Sequence, residues 1–269
     1  MLAGFRQLGP IGIFDSGVGG LSVLLEVRRE LPHEDVLYVA DSGHAPYGEK
    51  PSDFIERRAA SIVNFFINEG AKAVVVACNT ATGVAIEALR ARWPMPIVGI
   101  EPAIKPAVAV TKSRVIGVLA TSQTIASARF ARLAGTFATG VEIVAQPCPG
   151  LVEQIEKGDL SGAETRSLVE DYVRPLLERG ADTLVLGCTH YPFVRAVIES
   201  VAGPDVEIID PAAAVAREVR RRLEQAGLLT DGDRPGTTRF WTSGPPAQLE
   251  QMLQTLGIDA GEVGTLAYD

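Results

Sequence analysis

Two thiols in this chain stand where an apolar run stops, and each is followed by side chains that can hydrogen-bond a small molecule. Leu184-Val185-Leu186-Gly187 runs into Cys188-Thr189-His190, and Val74-Val75-Val76-Ala77 runs into Cys78-Asn79-Thr80, 110 residues earlier. A thiol just ahead of a helix N-terminus feels the positive end of the helix dipole, which lowers its pKa and makes the thiolate available as base or nucleophile. One such cysteine would point to covalent catalysis with His190 as its activating partner. A matched pair fits a different chemistry better. Inverting a stereocentre needs a base on one face and an acid on the other, and because the reaction runs both ways the two groups must exchange roles and have similar acidity.

The other reactive side chains are weaker signals. Cys148, between Pro147 and Pro149, lacks the strand-end setting and reads as a structural thiol. Cys188 and His190 do not make a tetrahedral zinc site, since no C-x-x-C or H-x-x-x-H accompanies them, so no metal is expected. The same lack of C-x-x-C spacing disfavours a redox role. His33 lies in a polar loop and reads as solvent-facing, whereas His44 precedes Pro46-Tyr47-Gly48 and is placed near a cleft. Asp15-Ser16-Gly17-Val18-Gly19-Gly20 lacks the G-x-G-x-x-G spacing of a dinucleotide turn, and its glycines are read as letting the backbone approach a small anion.

The elements that must position these residues alternate between short apolar runs and helical patterns, the signature of an α/β fold with mainly parallel sheets. Strands are expected at residues 11–14, 36–40, 73–77, 97–100, 115–120, 141–145, 183–186 and 206–209, and helices at 21–31, 54–69, 83–92, 164–179 and 211–226. Ile11 to Ser16 resembles Ile116 to Thr121 at an offset of 105, and the cysteine segments repeat at 110, which points to a duplicated unit. We therefore expect two pseudo-symmetric lobes, residues 1–100 with 211–269 and residues 101–210, crossing near Glu101-Pro102 and returning near Asp210-Pro211. A further strand is expected at 238–242; the role of residues 230–269 is not legible in the sequence. Ligands of open α/β sheets bind beyond the carboxyl ends of the strands. Asp15, Ser16, Cys78, Thr121 and Cys188 all fall at such ends, so facing lobes would bring them to one cleft.

Bulk properties narrow the partners. A net charge of -8 and a pI near 5.1 argue against nucleic acid or anionic membrane. The basic run Arg220-Arg221-Arg222 reads as a solvated helix face. No signal peptide fits Met1 to Pro10, no apolar run is long enough to span a membrane, and three cysteines are an odd count, so a cytoplasmic protein with free thiols is expected.

Four ordered motifs, Ile13 to Val23 (IFDSGVGGLSV), Ala40 to Lys50 (ADSGHAPYGEK), Val75 to Gly83 (VVACNTATG) and Leu184 to Pro192 (LVLGCTHYP), closely resemble the cofactor-independent glutamate racemases. The resemblance runs from about Gly12 to Leu229. It implies interconversion of L- and D-glutamate, the latter for peptidoglycan, without a cofactor. It implies that Cys78 removes the alpha proton of the D-enantiomer and Cys188 that of the L-enantiomer, assisted by Asp15 and His190. It assigns substrate binding to Asp15, Ser16, Tyr47, Gly48, Asn79, Thr80, Thr121, Thr124, Thr189 and His190. It also implicates a glutamate downstream of Cys148-Pro149; Glu153 and Glu156 compete for that place, and the E-x-G spacing of Glu156-Lys157-Gly158 favours Glu156. A homodimer is expected from the resemblance alone. The rival readings are an aspartate or other amino-acid racemase of the same superfamily, and a two-lobed sensor of an acidic metabolite without turnover.

Overall fold

The computed structural model describes residues 8–259 and 261–266. The reading of the first ten residues as no signal peptide therefore rests in part on residues outside the described ones. The chain divides into two compact units, Met1–Ile100 with Ala212–Asp269, and Glu101–Pro211.

Among the described residues, the first unit carries a six-stranded parallel sheet. In chain order its strands are β1 (Ile11–Asp15), β2 (Val36–Ala40), β3 (Ala73–Val76) and β4 (Ile97–Gly99), which lie in the order β2-β1-β3-β4. Every residue of β1, β2 and β3 is buried, as expected for parallel strands covered on both faces by helices. That double burial explains why these segments read as unbroken apolar runs instead of alternating ones.

The second unit builds its own four-stranded parallel sheet from β5 (Val115–Ala120), β6 (Glu142–Pro147), β7 (Thr183–Gly187) and β8 (Glu207–Ile209). Its order is β6-β5-β7-β8, so the pattern second, first, third, fourth occurs in both units. Cys78 stands two residues past β3 and Cys188 one residue past β7, each at the carboxyl end of the third strand of its pattern.

The C-terminal segment completes the first sheet. β9 (Thr238–Thr242) pairs in parallel with β2, and β10 (Val263–Thr265) pairs with β9. At the amino ends of the strands a buried ion pair pins this segment down. Lys72 Nζ lies 2.6 Å from Glu34 Oε2, and Thr230 donates to Glu34 through both its N–H and its hydroxyl, at 2.9 and 2.8 Å.

Two differences from the sequence expectation bear on the thiols. The helix expected from residue 83 begins at Asn79 and runs to Arg92, because Cys78 caps it and Thr82 Oγ1 donates to the Val76 carbonyl at 3.2 Å while accepting from Ile100 N. After Cys188 no helix starts at once. The chain turns, with Tyr191 N donating to Cys188 O, and forms a 3-10 turn over Tyr191–Val194 before the helix Arg195–Ala202. Pro192 sits in the first turn of this segment, where its missing N–H costs no hydrogen bond. The helix-dipole expectation thus applies to Cys78 but not in the same form to Cys188.

Candidate functional site

In the first unit, parallel register sets the site. Asp15 ends β1 opposite Ala40, the last residue of β2, and Ala77 N donates to Phe14 O, so Asp15, Asp41 and Cys78 emerge at one end of the sheet. Cys78 is 5% exposed, and as the cap of its helix its sulfur accepts the Ala81 N–H at 3.4 Å. A sulfur so placed faces the positive end of the helix, which favours negative charge on it. Its thiol also lies 3.7 Å from Ser16 Oγ.

Asp15 is fully buried and accepts the Gly20 N–H on Oδ2 at 2.9 Å. Gly20 has ordinary helical φ, so its lack of a side chain serves packing and not conformation: a Cβ there would sit 2.7 Å from Asp15 Cβ and 3.0 Å from the Tyr38 hydroxyl. The glycine turn holds Asp15 from behind.

Asn79, the first residue of the helix, is 4% exposed, yet neither its amide nitrogen nor its carbonyl oxygen has a hydrogen-bond partner among the described residues. A buried amide left unpaired costs about 1–3 kcal/mol. A ligand that pairs with it recovers that cost. Thr80 beside it is equally buried.

Tyr47 and Gly48 lie in a 3-10 turn, Tyr47–Glu49. The Tyr47 hydroxyl donates to Asp41 Oδ2 at 2.5 Å, and burial with the Asp41 charge holds the phenol well above its ordinary pKa. Tyr47 therefore stays protonated and is unsuited to acid–base work at neutral pH. Asp41 also takes Arg58 at 2.7 and 3.1 Å, a contact sequence reasoning missed. Two signals pointed to it: Asp41 directly follows its strand while Asp15 ends β1, and Arg58 falls in the apolar stripe of the helix Ser52–Asn68.

In the second unit, Cys188 Sγ lies 3.7 Å from His190 Nδ1, and His190 Nε2 lies 2.6 Å from Glu156 Oε1. Burial pulls the imidazole towards neutrality, but the Cys188 and Glu156 hydrogen bonds and charges outweigh it, so His190 stands well above the usual histidine range. Glu156 ends the short helix Leu151–Glu156. Glu153, on the same helix, does not contact His190; its charge is felt by Tyr172. Thr189 is buried beside the pair.

Thr121 and Thr124 first serve each other. The Thr121 hydroxyl caps the helix Ser122–Ala126 through Thr124 N and donates to Thr124 Oγ1 at 2.9 Å. Cys148 is buried under Tyr191, and burial pushes its thiol up to about 12 even though Tyr191 counters it; Cys188's charge adds to the rise. That thiol stays protonated. His44 lies 3.1 Å from Asp41 and packs on Phe54, while His33 contacts Arg234 O.

Among the described residues no group of three or more His, Cys, Asp or Glu side chains is arranged to hold a metal ion, and no helix is long and apolar enough to cross a membrane.

Comparison with known proteins adds to this geometry. Residues 21–219 match the Asp/Glu/hydantoin racemase family. A glutamate racemase of Methylococcus capsulatus is 60% identical over 247 residues, 92% of this chain and 91% of its own. The crystal structure of glutamate racemase isoform RacE1 from Bacillus anthracis superposes with a TM-score of 0.87 at 33% identity, covering 97% of each chain. The Escherichia coli glutamate racemase, solved with L-glutamate and the activator UDP-MurNAc-ala, gives 0.85 at 33% identity over 96% of this chain and 98% of that one.

Proposed function

Since this chain belongs to the Asp/Glu/hydantoin racemase family, and within it to the glutamate racemases, we propose that it interconverts L- and D-glutamate through Cys78 and Cys188, without a cofactor. The observation that carries the mechanism is topological. Two buried thiols occupy the same place, past the carboxyl end of the third strand, in two sheets that share a four-strand order of second, first, third, fourth. In this reading both sulfurs reach the substrate's alpha carbon, one on each face.

From D-glutamate, Cys78 takes the alpha proton as thiolate and Cys188 returns one to the opposite face; from L-glutamate the roles reverse. The two thiols are prepared differently. Cys78 has the helix start and Ser16, with Asp15 held nearby. Cys188 has an imidazole that Glu156 helps keep charged, so a sulfur anion there has a cation beside it. Neutral donors, Asn79, Thr80, Thr121, Thr124, Thr189 and the backbone around Ser16, Tyr47 and Gly48, bind the two substrate carboxylates. The open amide of Asn79 is the clearest of these. The carbon acid has no electron sink, so the barrier must fall through positioning, exclusion of water and hydrogen bonds to the charge building on the alpha-carboxylate.

The relatives' names and ligands favour glutamate over aspartate. We place the protein in the cytoplasm, supplying D-glutamate for peptidoglycan, and expect it to pair with a second copy. The test of specificity is incubation of the pure protein with each L-amino acid in heavy water. Deuterium should enter the alpha position of glutamate; exchange into aspartate and not glutamate would overturn the assignment, and absence of any exchange would favour a sensor.

A further inference from the structure

The residues matched by the racemase family stop at 219, yet the chain continues through β9 and β10. That continuation reaches the first unit's site. β9 pairs with β2, and directly after it Ser243 N donates to Ala40 O at 3.1 Å. Ser243 Oγ accepts the N–H of Gly43, and the approach is so close that a Cβ on Gly43 would lie 2.6 Å from the Ser243 carbonyl oxygen. With Arg58 and Tyr47, the nearby Ser243 hydroxyl holds the Asp41 carboxylate below its ordinary pKa against the effect of burial.

Asp41 is thus a fully buried hub. Arg58 grips it with a two-pronged contact through Nε and Nη2, and Tyr47 donates to it. Tyr47 packs in the same apolar cluster as Cys78, Phe14 and Ala81, and its turn lies against the helix that Cys78 caps. A buried ion pair is weak support for stability, because desolvation offsets most of the attraction. What this one provides is direction. The guanidinium fork fixes the carboxylate plane, and the carboxylate fixes the phenol. A phenol free to donate to Cys78 would occupy the sulfur lone pair that must take the proton.

We propose that Asp41, Arg58 and Ser243 are positioning residues for the proton transfer at Cys78, turning the Tyr47 hydroxyl away from the thiol, and that the C-terminal segment serves the reaction by delivering Ser243. The inference rests on the paired-thiol reading above.

Rates alone do not test it. The enantiomers are equal in energy, so any variant changes kcat/KM equally in both directions. Deuterium isotope effects separate the directions. A defect at Cys78 makes abstraction from C2-deuterated D-glutamate more rate-limiting, so its isotope effect on kcat/KM rises, while that of C2-deuterated L-glutamate falls. A general loss of structure lowers rates and leaves both isotope effects unchanged. We expect Ser243→Ala and Asp41→Asn to lower kcat/KM, the latter by about 10- to 100-fold, with the isotope effects moving apart in that sense; Ser243→Ala serves if Asp41→Asn does not fold. Isotope effects that stay put in Ser243→Ala, with Cys78→Ala inactive, would overturn this inference and leave the paired-thiol reading standing. An unsubstituted protein that does not racemise glutamate would overturn both.

Discussion

Replacing Glu156 by Gln keeps the side chain's shape and removes one charge from the contact with His190. The two side chains are 9% and 2% exposed and their atoms 2.6 Å apart, so little water is available to replace the lost carboxylate. A hydrogen bond between charged groups contributes about 1.5–3 kcal/mol. Taking about 2 kcal/mol, and about 2–4 °C per kcal/mol for a chain of this size, the variant should melt roughly 4–8 °C lower. The sign with pH follows from the imidazole, whose folded pKa is raised by Cys188 and Glu156 against the pull of burial. A raised value stabilises the fold in full below the unfolded pKa of about 6.5, and that stabilisation disappears as pH rises through the folded value. The melting gap between the native protein and Glu156→Gln is therefore widest near pH 6 and closes in alkaline solution. Calorimetry across this range, with an NMR titration of the imidazole nitrogens, reads both effects. The reasoning is refuted if the gap is the same at every pH, or if His190 titrates no lower in the variant.

Lys72→Met should cost about 3–5 kcal/mol by stranding the Glu34 carboxylate, and adding Glu34→Leu should restore much of it; denaturant unfolding of both variants checks this. Gly20→Ala should push Asp15 from its place, lowering kcat on the order of 10²-fold with about 1–3 kcal/mol of destabilisation, both read by steady-state assay and melting. Asn79→Ala removes a buried amide with no partner among the described residues, so it should not destabilise the free protein; it should raise KM and abolish much of the rise in Tm that glutamate gives the native protein.

The sequence revealed those parts of the fold that obey local rules. β1, β2, β3 and β7 were legible because strands buried on both faces are continuous apolar runs between turn residues. Strand order was not, because which strand pairs with which depends on contacts far apart in the chain. The start of the helix at Asn79 is not legible because Asn79, Thr80 and Thr82 read as loop, while Cys78 and Thr82 supply the cap and the anchor that overrule this. Cys78, Cys188 and His190 were legible from their places after apolar runs. The ring of partners was less so: the contact of Glu156 with His190 spans 34 residues, and that of Asp41 with Arg58 spans 17. Ser243 lay beyond reach entirely, since only the pairing of β9 with β2 carries it to Asp41.

The claim that two thiols share one substrate carbon is tested most directly by following L-glutamate in heavy water at low conversion, with the native protein and with Cys78→Ser and Cys188→Ser. Two bases on opposite faces place solvent deuterium in the D-glutamate product, while recovered L-glutamate keeps its proton, and each substitution suppresses racemisation. Deuterium entering recovered L-glutamate as fast as the product, or racemisation that persists unchanged in either variant, would contradict the account.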